Sequence, residues 1–188
     1  MGNGITQVAA CAGYDVIMID IKQEFVDRGI AAIEKSLAKL VSKERMTQED
    51  ADAARARISL SIDRADCVDC DLVIEAVPEI LDLKVSIFQE LDALCKPETI
   101  LASNTSSISI TTIAEATNRP DKVIGMHFMN PVPIMKLVEI INGKKTSEQT
   151  NAAVIQASEQ MGKTALSCND SPGFVSNRIL CPMLNEAI

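Results

Sequence analysis

Apolar positions along the chain switch between a helical and an extended spacing. Residues 3–12, "NGITQVAACA", place Ile5, Val8, Ala9 and Ala12 on one helical face, and Gly13 follows as a C-terminal stop. "YDVIMIDI" is compact and β-branched and predicts a strand ending at Asp20. Val26, Ile30, Ile33, Leu37 and Leu40 recur at steps of four and three, which predicts a long amphipathic helix. "ISLSI" (58–62) reads as a short strand and "DLVIEAV" (71–77) as a buried one. Residues 81–95 predict a helix with Ile87, Phe88, Leu91 and Leu94 inward. "TILAS" (99–103), "KVIGMHF" (122–128) and "MKLVEII" (135–141) predict further strands, followed by a helix over 147–161 and a strand "KTALS" (163–167).

Strand–helix alternation with apolar, non-alternating strands implies a parallel sheet covered on both faces. Right-handed crossovers make this an α/β, doubly wound (Rossmann-type), mostly parallel sheet, whose ligands sit beyond the carboxyl ends of the strands. "NDSPGF" (169–174) is the strongest punctuation mark, so the expected domains are 1–170 and the start of a second unit, opening with a new helix, over 171–188. The first helix opens with no strand before it. Doubly wound nucleotide folds begin with a strand whose G-x-G-x-x-G turn leads into such a helix. "MGNGITQVAACAGYDVIMID" reads as that unit without its strand and first two glycines. Gly2 stands as the third glycine, the one that permits close helix–strand packing. Asp20 lies eighteen residues on, near the distance of an acid that hydrogen-bonds a ribose 2′-hydroxyl. Taken alone, a helix-start glycine and a strand-end aspartate are more often packing and capping. In strand order 3-2-1-4-5-6 the absent strand is central, so residues 15–20 and 71–77 are expected to face a gap of unpaired backbone groups.

Composition narrows the function. Hydrophobic residues are 47% of the 188 and charged ones 23%, enough to fill a core, while aromatics are only 3%. Aliphatic side chains and alanine must therefore do the packing. A net charge of −8 with no basic stripe argues against a nucleic-acid binder, and an anionic ligand would need helix N-termini and a few local lysines to supply positive potential. No charged leader or twenty-residue apolar span is present, so the chain reads as soluble, untargeted, cytoplasmic and without a membrane partner. An N-terminal address on a missing segment is outside this expectation. Cys67 and Cys70 form a lone C-x-x-C without a matching pair, and the six cysteines read as reduced thiols rather than a metal site.

The chemistry-bearing stretch is "GMHFMNPVPIMKLVEI" (125–140), which holds the single histidine, His127, and a carboxylate twelve positions later, Glu139. A histidine titrating near neutrality takes and returns protons. In an arbitrary sequence a lone histidine is more often a satisfied core residue and a strand-end glutamate a solvated one. "KLVEII" flanks Glu139 with apolar residues, however, and a buried carboxylate needs a partner.

"ILASNTSSISI", "MHFMNPVPIMKLVEII" and "SPGFVSNRIL" closely resemble the NAD-dependent 3-hydroxyacyl-CoA dehydrogenase family, and within it the short-chain 3-hydroxybutyryl-CoA dehydrogenases of bacteria. The resemblance runs from Gly2 to Ile188. It implies oxidation of (S)-3-hydroxyacyl-CoA to 3-oxoacyl-CoA with reduction of NAD, or the reverse. His127 matches the family's catalytic acid/base and Glu139 the acid that fixes its tautomer. Ser106 matches the serine that contacts the acyl-CoA substrate's oxygen near the nicotinamide, and Asn177 the asparagine that helps hold that oxygen. Asp20 matches the adenosine-ribose acid, which selects NAD over NADP, and Gly2 the last fingerprint glycine. Glu79 and Lys84 match positions lining the NAD site; read from sequence alone they are exposed helix ends. Ser36 and Lys43, seven apart on one helix, match positions that meet the nucleotide part of coenzyme A. The family adds an N-terminal strand and a C-terminal all-helical domain that forms most of a homodimer interface, so the chain is expected to be a fragment in which 171–188 begins that domain. Two departures stand out: the first two glycines are absent, and Met129 occupies a usually aromatic position. Two other readings stay open, a non-catalytic dinucleotide-fold remnant or crystallin-like structural protein, and a related hydroxy-acid dehydrogenase that does not use coenzyme A.

Overall fold

Strands form where the apolar residues run without helical spacing, and the computed structural model describes all 188 residues. Helix α1 (Gly2–Cys11) leads into strand β1 (Val16–Ile19) through Gly13, whose φ of 96° suits a residue without a Cβ. Helices α2 (Gln23–Ser42) and α3 (Gln48–Ala56) follow, then β2 (Ile58–Ser61), β3 (Leu72–Glu75), α4 (Leu81–Leu94) and β4 (Ile100–Ser103). The rest comprises α5 (Ile110–Glu115), β5 (Val123–Phe128), β6 (Leu137–Asn142), α6 (Glu148–Gln160), β7 (Thr164–Asn169) and α7 (Ser176–Glu186). Two helices are absent from the sequence reading. α3 buries only Ala51 and Ala54, too thin an apolar stripe to register, although Thr47 caps it by accepting from the Asp50 amide. α5 is six residues long, which is too short for a period to emerge.

The strands form two ladders, β1-β2 and β3-β4-β5-β6-β7. Every pairing is parallel except the β5–β6 hairpin. No ladder joins β1 to β3, so the edges expected to face a central gap are unpaired with each other. Alternate residues of the larger sheet enter different cores. Leu101, Val123 and Ile141 pack with Phe88 and Leu91 of α4 and with Ile110 and Ile113 of α5. Ala102, Ile124 and Ile140 pack on the other face with Ile5 of α1 and Val154 of α6. Both faces are covered, which explains why the strands carry no polar alternation. A third core gathers Met18, Ile30, Ile33, Leu37 and Ile58 around β1, β2 and α2.

Gly2 has open space where a Cβ would stand, on the side where no strand lies between β1 and β3. Gly4 makes a close approach of its own. A Cβ there would lie 2.9 Å from the Val132 Cβ, so α1 sits directly against the turn that follows β5.

A two-stranded ladder is marginal by itself. Amide exchange at Met18 in β1 is therefore expected to be at least about tenfold faster than at Ile124 in β5. Mass-spectrometric or NMR exchange checks this, and equal protection of the two strands would show a single cooperative unit.

Candidate active site

The β5–β6 hairpin builds the centre of the site. His127 and Glu139 are direct cross-strand partners in an antiparallel pair, which puts both side chains on one face of the sheet. Gly125 precedes them on that face, and a Cβ there would fall 2.8 Å from the Ile141 Cβ. His127 Nδ1 lies 2.8 Å from Glu139 Oε2, and the Glu139 side chain is wholly buried. With Nδ1–H donated to the carboxylate, Nε2 carries the free lone pair. Nε2 has no protein partner, and the one sealed, unpaired side-chain polar atom in the chain is Asn142 Oδ1, so Nε2 opens to solvent.

The second oxygen of Glu139 holds a different part of the chain. Oε1 accepts the backbone N–H of Val175 at 3.0 Å and of Ser176 at 2.7 Å, at the first turn of α7. A carboxylate at a helix N-terminus meets unpaired N–H groups and the positive end of the helix dipole. Burial pushes the Glu139 carboxyl up, but the bonds from His127, Ser176 and Val175 outweigh it and hold the group below the ordinary glutamate range. Phe174, just before α7, is buried and meets the His127 ring edge-on, with centroids 6.0 Å apart. Gly173 and Phe174 both have positive φ, 74° and 50°, so the chain spends backbone energy to deliver that ring.

Docking α7 in this way brings Asn177 to Ser106, whose carbonyl accepts from Asn177 Nδ2 at 3.2 Å. Ser106 lies exposed in the turn after β4. That turn is gathered around Glu79, whose Oε1 accepts from the Ser106 amide at 2.9 Å, the Ser107 amide at 3.1 Å and the Thr105 hydroxyl. Burial pushes the Glu79 carboxyl up, yet these bonds and the Lys84 ammonium leave it below its ordinary value. Lys84 is no exposed helix end. Its side chain is 1% exposed, and Nζ donates to Glu75 Oε1 at 2.7 Å and lies 3.5 Å from Glu79 Oε2. Asn104 closes the junction between β4 and β5, its Oδ1 accepting from the Phe128 amide at 2.8 Å.

Asp20 ends β1 with an exposed carboxylate that uses only Oδ1, as acceptor for the Ile21 amide, leaving Oδ2 for a ribose hydroxyl. α1 has no acidic residue in its first turn, so its N-terminal amides favour a diphosphate. These features fit a dinucleotide. Ser36 lies half-buried on α2 and Lys43 exposed at its C-cap, and no hydrogen bond or ion pair links either to His127 or Ser106. The structure therefore brings together His127, Glu139, Ser106, Asn177, Glu79 and Lys84, and leaves Asp20, Ser36 and Lys43 in the β1–β2 half. Phe174, Glu75 and Asn104 were missed. Phe174 and Asn104 lie inside the quoted motifs, but only the fold reveals what each one touches.

A mostly parallel α/β sheet of this kind, with a carboxylate-backed imidazole at a strand end, is the architecture of a dinucleotide-dependent oxidoreductase. Residues 1–171 match the family described as 3-hydroxyacyl-CoA dehydrogenase, NAD binding domain, and the chain belongs to that family. It is 56% identical over 188 residues to a probable 3-hydroxybutyryl-CoA dehydrogenase of Deinococcus radiodurans, covering 100% of this chain and 67% of that one. Identity to a probable 3-hydroxybutyryl-CoA dehydrogenase of Bacillus subtilis is 52%, covering 100% and 66%. The crystal structure of an (S)-3-hydroxybutyryl-CoA dehydrogenase from Ralstonia eutropha superimposes with a TM-score of 0.97 at 51% identity, again covering 100% and 66%. The chain thus spans about two thirds of the length of these relatives. No helix is long and apolar enough to cross a membrane.

Replacing Glu139 strips two backbone amides and the imidazole of their acceptor at once. Glu139→Ala is expected to cost about 3 kcal/mol of stability, read from the urea midpoint. Because Glu139, Glu79 and Asp170 all titrate below their ordinary values in the fold, the unfolded chain takes up protons first as the pH falls. Their contribution to stability is complete above about pH 5 and is lost as the pH drops through the lower folded-state values. Urea midpoints measured at about pH 6 and about pH 3 should fall in that order.

Proposed function

We propose that this chain carries the cofactor-binding and proton-transfer half of an NAD-dependent dehydrogenase that interconverts short-chain (S)-3-hydroxyacyl-CoA, such as 3-hydroxybutyryl-CoA, and 3-oxoacyl-CoA. The observation that carries the reading is the 2.8 Å contact from His127 Nδ1 to Glu139 Oε2, with Nε2 left open. In oxidation, Nε2 removes the proton from the substrate's 3-hydroxyl, and Glu139 stabilises the imidazolium that results. The Ser106 hydroxyl and the Asn177 amide hold the substrate oxygen as it gains negative charge. NAD, when bound, accepts the hydride from the carbon bearing that oxygen and supplies it in the reverse direction. In reduction, His127 returns the proton to the carbonyl oxygen.

Asp20 and the α1 amides hold the dinucleotide, and Glu79 and Lys84 shape its nicotinamide end. Ser36 and Lys43 take the nucleotide part of coenzyme A. Residues 1–170 form the NAD-binding domain and 171–188 begin a helical one. Homodimerisation runs through the rest of that helical domain, against which Ile179, Leu180, Met183 and Leu184 of α7, exposed in this chain, would pack. A cytoplasmic setting is supported by six free cysteines.

In the complete dehydrogenase that carries this chain, His127→Gln should bind NADH normally yet lose acetoacetyl-CoA reduction by a factor of about 10² to 10⁴. Fluorescence titration and turnover measure the two effects separately, and near-normal turnover would refute the assignment. Comparing acetoacetyl-CoA with free acetoacetate separates a coenzyme A-dependent enzyme from a hydroxy-acid dehydrogenase, and the first should be the better substrate by orders of magnitude.

A further inference from the structure

The proposed chemistry leaves Glu75 without a role, although it is one of the most deeply buried charged side chains. It sits at the last residue of β3, with 2% of its side chain exposed, against a Lys84 side chain that is 1% exposed. Both of its carboxylate oxygens are used inward. Oε1 accepts from Lys84 Nζ at 2.7 Å and from the Val77 amide at 2.6 Å, and Oε2 accepts from the Ser103 hydroxyl at 2.7 Å. The Ser103 hydroxyl in turn accepts from the Thr105 amide at 3.2 Å, and the Glu75 carbonyl accepts from the Asn104 amide at 2.8 Å. Lys84 is the bridge, because its ammonium also lies 3.5 Å from Glu79 Oε2, and Glu79 gathers the Ser106 and Ser107 amides.

We infer that Glu75 is a positioning residue that sets the turn carrying Ser106, acting from below through Ser103 and from the side through Lys84 and Glu79. This inference rests on the proposed function for its catalytic meaning. Two routes converge on residues 103–107: the Ser103 hydroxyl fixes the strand end, and Glu79 fixes the amides beyond it. Lys84 cannot hold Glu79 in place unless its own buried charge is balanced, and Glu75 supplies that balance. A solvated lysine at this position would leave Glu79 free to swing into water, and with it the Ser106 backbone.

The test is Glu75→Gln, which keeps the side chain's size and one accepting oxygen and removes the charge. Amide exchange at Ser106 and Ser107 is expected to speed up about tenfold or more, with Ile124 and Met126 unchanged. In the same protein, kcat for acetoacetyl-CoA reduction should fall about tenfold to a hundredfold while KM for NADH barely moves. The double variant Glu75→Gln/Lys84→Met removes both buried charges and serves if the single variant does not fold. If the pair matters only for folding, the double variant recovers slow exchange at Ser106 and Ser107, and the inference is overturned; a turn that stays loose supports it. Unchanged exchange at Ser106 and Ser107 in the folded variant also overturns it. A complete, unmodified dehydrogenase carrying this chain that failed to reduce acetoacetyl-CoA would sink the proposed function instead, while loosened amides in the variants would still support the role of Glu75 in holding the turn.

Discussion

One buried carboxylate organises the catalytic half of this protein. Glu139 spends one oxygen on the His127 imidazole and the other on two amides at the start of α7. A wholly buried carboxylate has no water to fall back on, so all three donors are held tightly and in fixed directions. The tautomer of the base, the docking of α7 and the delivery of Phe174 and Asn177 therefore depend on the same group. This arrangement joins an element from beyond the sheet to the sheet itself without a large apolar interface. α7 buries none of its residues, and its N-terminus is held by polar contacts.

The antiparallel step in an otherwise parallel larger sheet makes this possible. Parallel neighbours are joined by long crossovers, whereas the β5–β6 hairpin lets residues twelve apart in sequence stand opposite one another. The hairpin's turn is fixed in several ways. Gly4 lets α1 approach Val132, and the buried Lys163 donates to the Val132 and Met135 carbonyls. A rigid scaffold of this kind suits a base that must keep its orientation while protons come and go.

Charge is distributed to match. The chain is strongly acidic, yet several of its carboxylates near the crevice are engaged by donors: Glu75 and Glu79 by Lys84 and the Thr105–Ser107 turn, Asp170 by Ser109 and Thr111. Their negative charge is spent on holding turns in place. What remains toward an anionic ligand is the unblocked N-terminus of α1.

Most of the architecture was legible in the sequence, because apolar spacing reports directly on which residues must leave water. The strands and the long helices were readable in this way, as was the need of Glu139 for a partner; that the partner is His127 followed from the resemblance to the family. Tertiary structure alone decided the rest. Lys84 reads as an exposed helix end until Glu75 and Glu79 are seen beside it, and the close approach of Gly4 to Val132 has no sequence signal. Glu139's grip on α7 joins residues 36 and 37 positions apart through backbone amides, which carry no side-chain signature at all. Sequence pattern determines which residues must be buried; only the folded chain determines which buried charges find one another, since that depends on where separate strands and turns end in space.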